Sequence, residues 1–388
     1  MAKKVYIGVG GVARKVKKLY FGVGGVARKV KKGYIGIGGV ARPFFSFGPS
    51  VTYYGTLDNI KSGMRCCVGA SVGNYACFCG NATYPTQYDN NLTRTQYNSG
   101  DHNGSIMCAC EMGDKAFFAW GDYSDRDYEE KPDCTCWTYD ANLVTANAYL
   151  NTLELGVLTC ASPSSSYVIL LGKMNKFRAI TSDLSSISSV SGTITTRHNA
   201  SGLKIGNYAV FAGGTPYAGS GSALFKSEVD AIDANLVITS LTALQAGRYG
   251  LSGAKAGSLG VFAGGVSQKS GSTGQVSALV DIYDENLVHT IGPSLGTARM
   301  RSASTECGNC AIFCGGSTTT SSDYSAVCDV IDNSGALIST DMTLSYARCW
   351  YECTNPGAAT VGNYAIVVGG SASDATYSKY VDVFTAID

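Results

Sequence analysis

Fifteen cysteines and one acidic run are the features of this sequence most able to do chemistry. The spacing Cys307-x-x-Cys310-x-x-x-Cys314 is typical of metal-binding thiolates. However, Cys314 lies inside an apolar run and the three histidines are far apart, which argues against zinc. The acidic run from Asp122 to Glu130 lacks the glycine-anchored spacing of a calcium loop. We therefore predict no metal and no cofactor.

Most of the other cysteines fit a hydrophobic core better than a reactive centre. Cys77 and Cys79 are two residues apart, which places both side chains on one face of a strand. A buried thiol packs there as a small apolar group. Because the cysteine count is odd and no secretory signal is recognisable, we expect reduced thiols, as in a cytoplasm. The pairs with the same spacing are Cys108 with Cys110 and Cys134 with Cys136.

Arginines also recur at a regular position. Arg197, Arg248 and Arg299 each lie nine residues before a glycine that opens an apolar run, with Arg65 and Arg348 at eight and fourteen. Equivalent positions in successive copies indicate a structural role rather than convergence on one substrate. We therefore predict no catalytic residue.

These arginines belong to a repeated unit, best seen in Gly206–Gly214 followed by Val229–Leu236. Its period of about 40 to 54 residues is typical of a β-propeller. Each copy has an apolar run ending in glycine, which predicts a buried strand, and Asp-x-Asn-Leu, which predicts a tight turn. The seven copies start at residues 73, 113, 165, 206, 257, 308 and 362.

The copies predict an all-β fold of seven four-stranded blades in residues 47–388. The last copy stops at Asp388, before its outer strand. Val51–Leu57 and Val381–Ile387 resemble the same strand of the repeat, so the register of closure stays open. We expect residues from about 51 to 65 to close the ring, with Asn59–Arg65 as the piece missing from the last copy.

Arg248 and Tyr249, a strand of small residues, and Leu259–Phe262 ending in a double glycine together resemble the kelch repeat. The double glycine recurs at 213–214, 264–265, 315–316 and 369–370 and is single in the first three copies. The tryptophan that kelch blades usually carry is not at a fixed offset. The resemblance covers roughly residues 50–388 and implies a kelch-like seven-bladed β-propeller.

Residues 3–44 form a different repeat, with a period of 14. Each copy reads as a short strand, a Gly-Gly turn, a second short strand and a Lys-Lys turn, which predicts β-hairpins. Pairing across the first turn places Arg14 opposite Ile7. We interpret residues 1–46 as a ribbon of short-stranded hairpins for anchoring or oligomerisation. Its repeated docking candidates are Tyr6, Arg14, Tyr20, Arg28, Tyr34 and Arg42.

The charge of these repeats sets them apart from the remainder of the chain. They hold eleven Lys and Arg and no acid, which leaves nineteen basic against twenty-nine acidic residues elsewhere. A basic arm on an acidic body favours docking, although the lysines would also serve simply to solvate sheet edges. Interleaved apolar residues favour a protein partner over nucleic acid. No run approaches eighteen apolar residues, so we expect no membrane span.

The repeat Tyr-Ile-Gly-Val-x-Gly-Val-Ala-Arg-Lys-Val-Lys-Lys is similar to one near the start of virion-associated proteins of phages and prophages of gut Firmicutes. The resemblance covers about 42 residues. It implies a tail, fibre or decoration protein, assembled in the cytoplasm of the bacterial host. Its partners would be other virion proteins or its own copies, bound through residues 3–44.

The loops after each glycine end vary in length and are rich in Ser, Thr, Gly and Tyr, a composition typical of recognition surfaces. We expect them to bind a host-surface glycan or protein without catalysis. The alternative is a carbohydrate-active propeller enzyme of sialidase-like type, which needs arginines and carboxylates converging at the axis. The loop candidates are Tyr84, Tyr123, Tyr128, Tyr217, Tyr324 and Tyr377.

Overall fold

The computed structural model of the chain divides into two compact units, residues 1–50 with 387–388 and residues 51–386. In the first unit it describes the backbone of six strands only. The described residues are 6–9, 12–15, 20–23, 26–29, 32–37, 40–46, 50–60, 63–64, 67–80, 85–96, 106–121, 134–142, 144–150, 159–171, 177–187, 194, 197, 199–216, 225–268, 274–320, 323–350, 357–372 and 378–387.

The first unit contains three β-hairpins. The first pairs Ile7 with Arg14, which confirms the predicted register. Each hairpin is its own two-stranded sheet, so the described strands do not form one continuous ribbon. Gly-Gly connections allow the positive φ of a tight hairpin, whereas the Lys-Lys connections contain no glycine. The strands are β1 (Tyr6–Val9), β2 (Val12–Lys15), β3 (Tyr20–Val23), β4 (Val26–Lys29), β5 (Lys32–Ile37) and β6 (Val40–Ser46).

The second unit is all-β, and its described residues include seven four-stranded antiparallel sheets, which we number I to VII. Sheets I to III contain β8 (Cys67–Val72), β9 (Tyr75–Gly80), β10 (Thr86–Asp89) and β11 (Arg94–Gln96); β12 (Ile106–Met112), β13 (Lys115–Gly121), β14 (Cys134–Asp140) and β15 (Thr145–Leu150); β16 (Thr159–Ala161), β17 (Tyr167–Leu171), β18 (Phe177–Thr181) and β19 (Ser186–Ile187).

Sheets IV to VII follow the same order. They contain β20 (Ser201–Ile205), β21 (Tyr208–Ala212), β22 (Val229–Ile232) and β23 (Ile238–Ser240); β25 (Ser252–Ala256), β26 (Leu259–Ala263), β29 (Val280–Tyr283) and β30 (His289–Ile291); β31 (Ala303–Cys307), β32 (Cys310–Cys314), β33 (Val327–Asp332) and β34 (Leu337–Thr343); β36 (Ala358–Val361), β37 (Tyr364–Val368), β39 (Val381–Ile387) and β7 (Ser50–Leu57).

Five short strands lie outside these sheets. They form a three-stranded and a two-stranded sheet beside sheets V and VII. They are β24 (Arg248–Tyr249), β27 (Val266–Gln268) and β28 (Gly274–Val276), then β35 (Arg348–Cys349) and β38 (Ser371–Ala372).

The first strands of the seven sheets are in contact around a closed ring. The contacts join β8 to β12, β12 to β16, β16 to β20, β20 to β25, β25 to β31, β31 to β36, and β36 back to β8. This is a propeller-like arrangement, in which each sheet buries its faces against its two neighbours.

The predicted Asp-x-Asn-Leu turn is confirmed. Asp233 Oδ1 accepts the backbone N–H groups of Asn235 and Val237, both at 2.9 Å. Leu236 between them has a φ of 63°, the left-handed conformation that such a turn requires. The same carboxylate bridge forms at Asp89, Asp140, Asp284 and Asp332.

Sheet VII is completed from the N-terminal side. Its outer strand is β7, which pairs with β39, so the strand missing from the last copy is Ser50–Leu57. The prediction that Asn59–Arg65 supplies this piece is wrong, because its described residues follow β7 and lie outside the strands. The Tyr53 hydroxyl donates to Asp382 Oδ1 at 2.8 Å and fixes this strand to its sheet.

A second contact closes the ring between sheets VII and I. The N–H of Ile60 donates to the carbonyl of Lys379 at 3.0 Å, and the N–H of Gly370 donates to the carbonyl of Met64 at 2.7 Å. Met64 lies nine residues before Gly73 and so occupies the repeat-arginine position of sheet I. Arg65, which the sequence suggested for that position, lies outside the described residues.

Most of the described cysteines lie in the core, as predicted, and Cys110 is half-buried. Cys77 and Cys79 are buried together with Val68 and Phe118, and burial raises the pKa of Cys77 to about 12. Cys307 lies opposite Cys310 in a hairpin, and Cys314 lies opposite Cys328 on the neighbouring strand. No disulfide joins any of these four cysteines. The described residues contain no group of three possible metal ligands. Nor do they include a helix long and apolar enough to cross a membrane.

Candidate functional site

Four repeat arginines form buried ion pairs within their own sheets. Arg299 Nη2 lies 2.5 Å from Asp329 Oδ2, and both side chains are fully buried. Arg299 also donates to the carbonyl of Phe313 at 2.9 Å, while Asp329 Oδ1 accepts the N–H of Gly296 at 3.0 Å. The other pairs are Arg197 with Asp230, Arg248 with Asp281, and Arg348 with Asp382.

These pairs give the four arginines a structural role, as their repeated position predicted. Each guanidinium is neutralised inside one sheet and is not available to a ligand. Sequence reasoning missed the aspartates, although three of the four lie three residues before the turn aspartate, as Asp230 does before Asp233. In sheets I to III that position holds Thr86, Trp137 and Arg178 instead.

The double glycines connect neighbouring sheets. The N–H of Gly265 donates to the carbonyl of Arg299 at 2.9 Å, which belongs to the next sheet. Gly264 and Gly265 have φ values of 69° and 96°, and a Cβ on Gly264 would lie 2.4 Å from that carbonyl oxygen. Glycine is therefore required by both conformation and space.

The second glycine also closes the base of each variable loop. The N–H of Ser277 donates to the carbonyl of Gly265 at 2.8 Å, so the loop of residues 266–276 starts and ends at a fixed point. Loops of different sequence thus share one rigid frame. The same 2.8 Å bond joins Lys226 to Gly214, Ser325 to Gly316 and Ser378 to Gly370.

Among the six loop tyrosines proposed from the sequence, the structure describes Tyr324. It is half-buried and forms a β-bridge with Ser317, which holds the two ends of its loop together. Tyr84, Tyr123, Tyr128, Tyr217 and Tyr377 lie outside the described residues. For Tyr6, Arg14, Tyr20, Arg28, Tyr34 and Arg42 the described part is the backbone of the hairpins.

Two aromatic pairs beside the loops were not found from the sequence. Phe225 and Tyr249 have ring centroids 4.9 Å apart, next to the loop of residues 266–276. Tyr346 stacks on Tyr380, two residues after the end of the fourth closed loop at Ser378, with ring centroids 5.1 Å apart. Each pair joins the end of one loop to a residue beside a repeat arginine, since Tyr249 directly follows Arg248 and Tyr346 lies two residues before Arg348.

A cluster of polar side chains lies on the first strands of the ring. Six of the seven sheets carry a polar residue two positions before the turn glycine of the first hairpin. Since the first strands surround the axis, these side chains approach one another. This axial cluster consists of Ser71, Glu111, Lys204, Lys255, Glu306 and Thr360.

Hydrogen bonds and one ion pair connect part of the axial cluster. Lys255 Nζ lies 3.5 Å from Glu306 Oε2, and Glu306 Oε1 accepts the N–H of Gly257 at 3.1 Å. The N–H of Thr360 donates to Ser71 Oγ at 3.0 Å. These contacts link sheets V to VI and VII to I.

Glu111 of sheet II interacts with four other sheets. Crowding by protein raises the pKa of its carboxyl above the ordinary value, while a hydrogen bond with Ser71 and the charges of Lys255 and Lys204 lower it, and Glu306 raises it. Its side chain still reaches solvent, as expected for a group lining a narrow opening. The interactions with sheets I, IV, V and VI show that the cluster converges.

The charge of Glu111 is therefore expected to destabilise the folded protein at neutral pH. Above its raised pKa the folded state holds an ionised carboxyl in an unfavourable environment, whereas below about pH 4.3 the carboxyl is protonated in both states. Glu111→Gln should raise stability at pH 7, and the gain should vanish as the pH falls to 4. Urea unfolding across this range measures it.

The control for this prediction is Glu285→Gln, which removes an exposed carboxyl from a turn. It reports the effect of the charge change alone. A Glu111→Gln protein that is less stable than the wild type at pH 7 would contradict the prediction.

The ring of sheets and the axial cluster define an all-β protein of propeller-like class. No family model matches the chain, and no curated protein does. One similar solved structure, described as the structure of YjhT, superposes with a TM-score of 0.55 at 10% identity, covering 86% of this chain and 99% of that one. At this identity the likeness concerns the fold alone.

Proposed function

We propose that this chain is a kelch-like, seven-bladed β-propeller that acts as a non-enzymatic binding protein of a phage or prophage virion. The seven sheets and the closed ring of their first strands support the blade number. The double glycines, each bonded to the next sheet, support the kelch relationship. The N-terminal repeat, through its resemblance to virion-associated proteins, supports the virion.

Binding is assigned to the loops on the side of the double glycines. The observation that carries this assignment is the bond that closes four loops of different sequence at the same 2.8 Å distance. Because the same bond closes each loop, the loop sequence can vary for recognition without changing the structure that supports it. Tyrosine, serine and glycine in the loops suit a host-surface glycan or protein.

Replacing loop residues 317–324 by a Gly-Ser linker of equal length tests this assignment. We expect binding to host cells or to glycans on an array to fall at least tenfold, about 1.4 kcal/mol, with little change in melting temperature. The control replaces Glu285 and Asn286 by serine in a turn at the other end of the strands. If the same exchange in each of the four closed loops in turn leaves binding intact, the loops do not carry recognition.

The hairpins of residues 6–46 are assigned to anchoring. Two-stranded sheets expose unpaired backbone groups on both edges, and an isolated hairpin is marginally stable in water. Pairing with other copies or with a virion protein would satisfy these groups, and the basic charge of the segment would orient the contact.

Sedimentation of the full chain and of a chain starting at Gly48 tests the anchor. We expect the full chain to form an oligomer or to bind virions, and the shortened chain to remain a monomer that does neither. If both are monomers and neither binds particles, anchoring by the hairpins is wrong.

A carbohydrate-active enzyme remains the second candidate, and Glu111 with Glu306 is the observation that favours it. Two carboxylates near one axis, one with a raised pKa, suit acid–base catalysis of glycoside cleavage. The four paired arginines weigh against a sialidase-like site, because their guanidinium groups are buried. Release of dye from fluorogenic glycosides that is lost in Glu111→Gln would favour the enzyme.

A further inference from the structure

We propose that the axial cluster binds a small zwitterion of the α-amino acid type. This site is separate from the recognition loops. Each first strand starts beside the double-glycine contacts and ends at its turn glycine, and the cluster lies two residues from that turn. The two sites are therefore at opposite ends of the ring, and either proposal can fail without the other.

The first strands of neighbouring sheets approach one another closely on the loop side of the axial cluster. Two residues earlier in these strands the side chains are small. A Cβ on Gly202 would lie 2.5 Å from the carbonyl oxygen of Cys160, and one on Gly69 would lie 2.7 Å from that of Ala358. Backbone therefore packs against backbone between neighbouring sheets at this level. The longer polar side chains of the axial cluster come two residues later in each strand, so polar groups line the turn end of the ring.

The charges of the cluster are arranged by sheet. Lysines lie on the adjacent sheets IV and V, glutamates on sheets II and VI, and hydroxyl groups on sheets VII and I. Lys255 is engaged by Glu306 at 3.5 Å. Among the described residues, no acid lies within ion-pair distance of Lys204 and no base within that distance of Glu111.

Neither the ammonium of Lys204 nor the carboxylate of Glu111, which bonds Ser71 and is exposed to solvent, is therefore held in an ion pair, and each can take a charged group of a ligand. A simple anion at Lys204 would also meet the glutamates, and a simple cation at Glu111 would also meet the lysines. A molecule with both charges satisfies both groups at once, since like-charge contacts are avoided and each pair gains a charge-assisted hydrogen bond.

Titration of the full chain with L-serine, followed by NMR saturation transfer and calorimetry, tests the proposal. Acetate and methylammonium, which carry one charge each, are the comparison probes. We expect serine to bind more tightly than either, and Lys204→Met or Glu111→Gln to weaken it about tenfold or more, as loss of one charge-assisted bond implies. Lys226→Met and Glu228→Gln, a lysine and a glutamate on the loop side, should bind serine as the wild type does.

Ligand-induced stabilisation of the wild-type protein provides a second measurement, which needs no variant to fold. Serine should raise the melting temperature, whereas acetate and methylammonium at the same concentration should not. The proposal is overturned if serine binds no better than acetate or methylammonium, or if Lys204→Met and Glu111→Gln fold and bind serine like the wild type.

Discussion

Replacing Arg299 by methionine is expected to destabilise the protein by about 3 to 5 kcal/mol. The substitution leaves Asp329 buried without its cation, in a position where neither side chain reaches solvent. It also removes the donor to the carbonyl of Phe313. Urea unfolding at pH 7, compared with the wild type, measures the loss.

The double variant with Arg299→Met and Asp329→Asn should recover more than half of this loss, because no buried charge is left unpaired. Arg178→Met is the matched control. Arg178 is half-buried and donates to the carbonyl of its neighbour Phe177 at 3.3 Å, so its removal should cost much less. Equal losses for Arg178→Met and Arg299→Met would mean that the ion pair has no special role.

Deleting residues 1–66 is expected to leave the propeller-like unit largely unfolded or aggregated. The deletion removes β7 from sheet VII together with the segment that joins sheets VII and I. Val51, Ile60 and Met64 are buried, and each such side chain contributes about 1.5 to 3 kcal/mol. It also exposes the edge of β39 for pairing with other chains. Circular dichroism on heating and light scattering report both effects.

Deleting residues 1–46 provides the comparison, because it removes the hairpins and keeps β7. This shorter deletion should leave the melting temperature of the sheets unchanged. If the two deletions melt alike, closure of the ring by residues 50–64 contributes nothing to stability, and the account of sheet VII is wrong.

The local features of the repeat follow from single short stretches of sequence. The turn at Asp233 is encoded by its own carboxylate and the next four residues, and the double glycines are marked by the need for positive φ. The Ile7–Arg14 pairing follows from a two-residue glycine turn and alternating strands. Each of these features depends on residues within one copy of a repeat, so the sequence of that copy is enough to predict it.

Contacts between copies required the tertiary structure. The Asp382 carboxylate accepts a hydrogen bond from Tyr53 because the two ends of the chain meet in one sheet. The carbonyl of Met64 accepts the N–H of Gly370, as the carbonyl of Arg299 accepts that of Gly265. Nothing local in the sequence marks the contact between Tyr53 and Asp382.

The axial cluster shows the same division most clearly. The sequence by itself determined that most copies have a turn glycine two residues after a variable position, which holds Glu111 in one copy and Lys204 in another. Only closure of the ring decided that these positions face one axis, since the lysines and glutamates come from four different copies of the repeat. Their charges interact because distances in the fold, and not distances along the chain, set electrostatic energies.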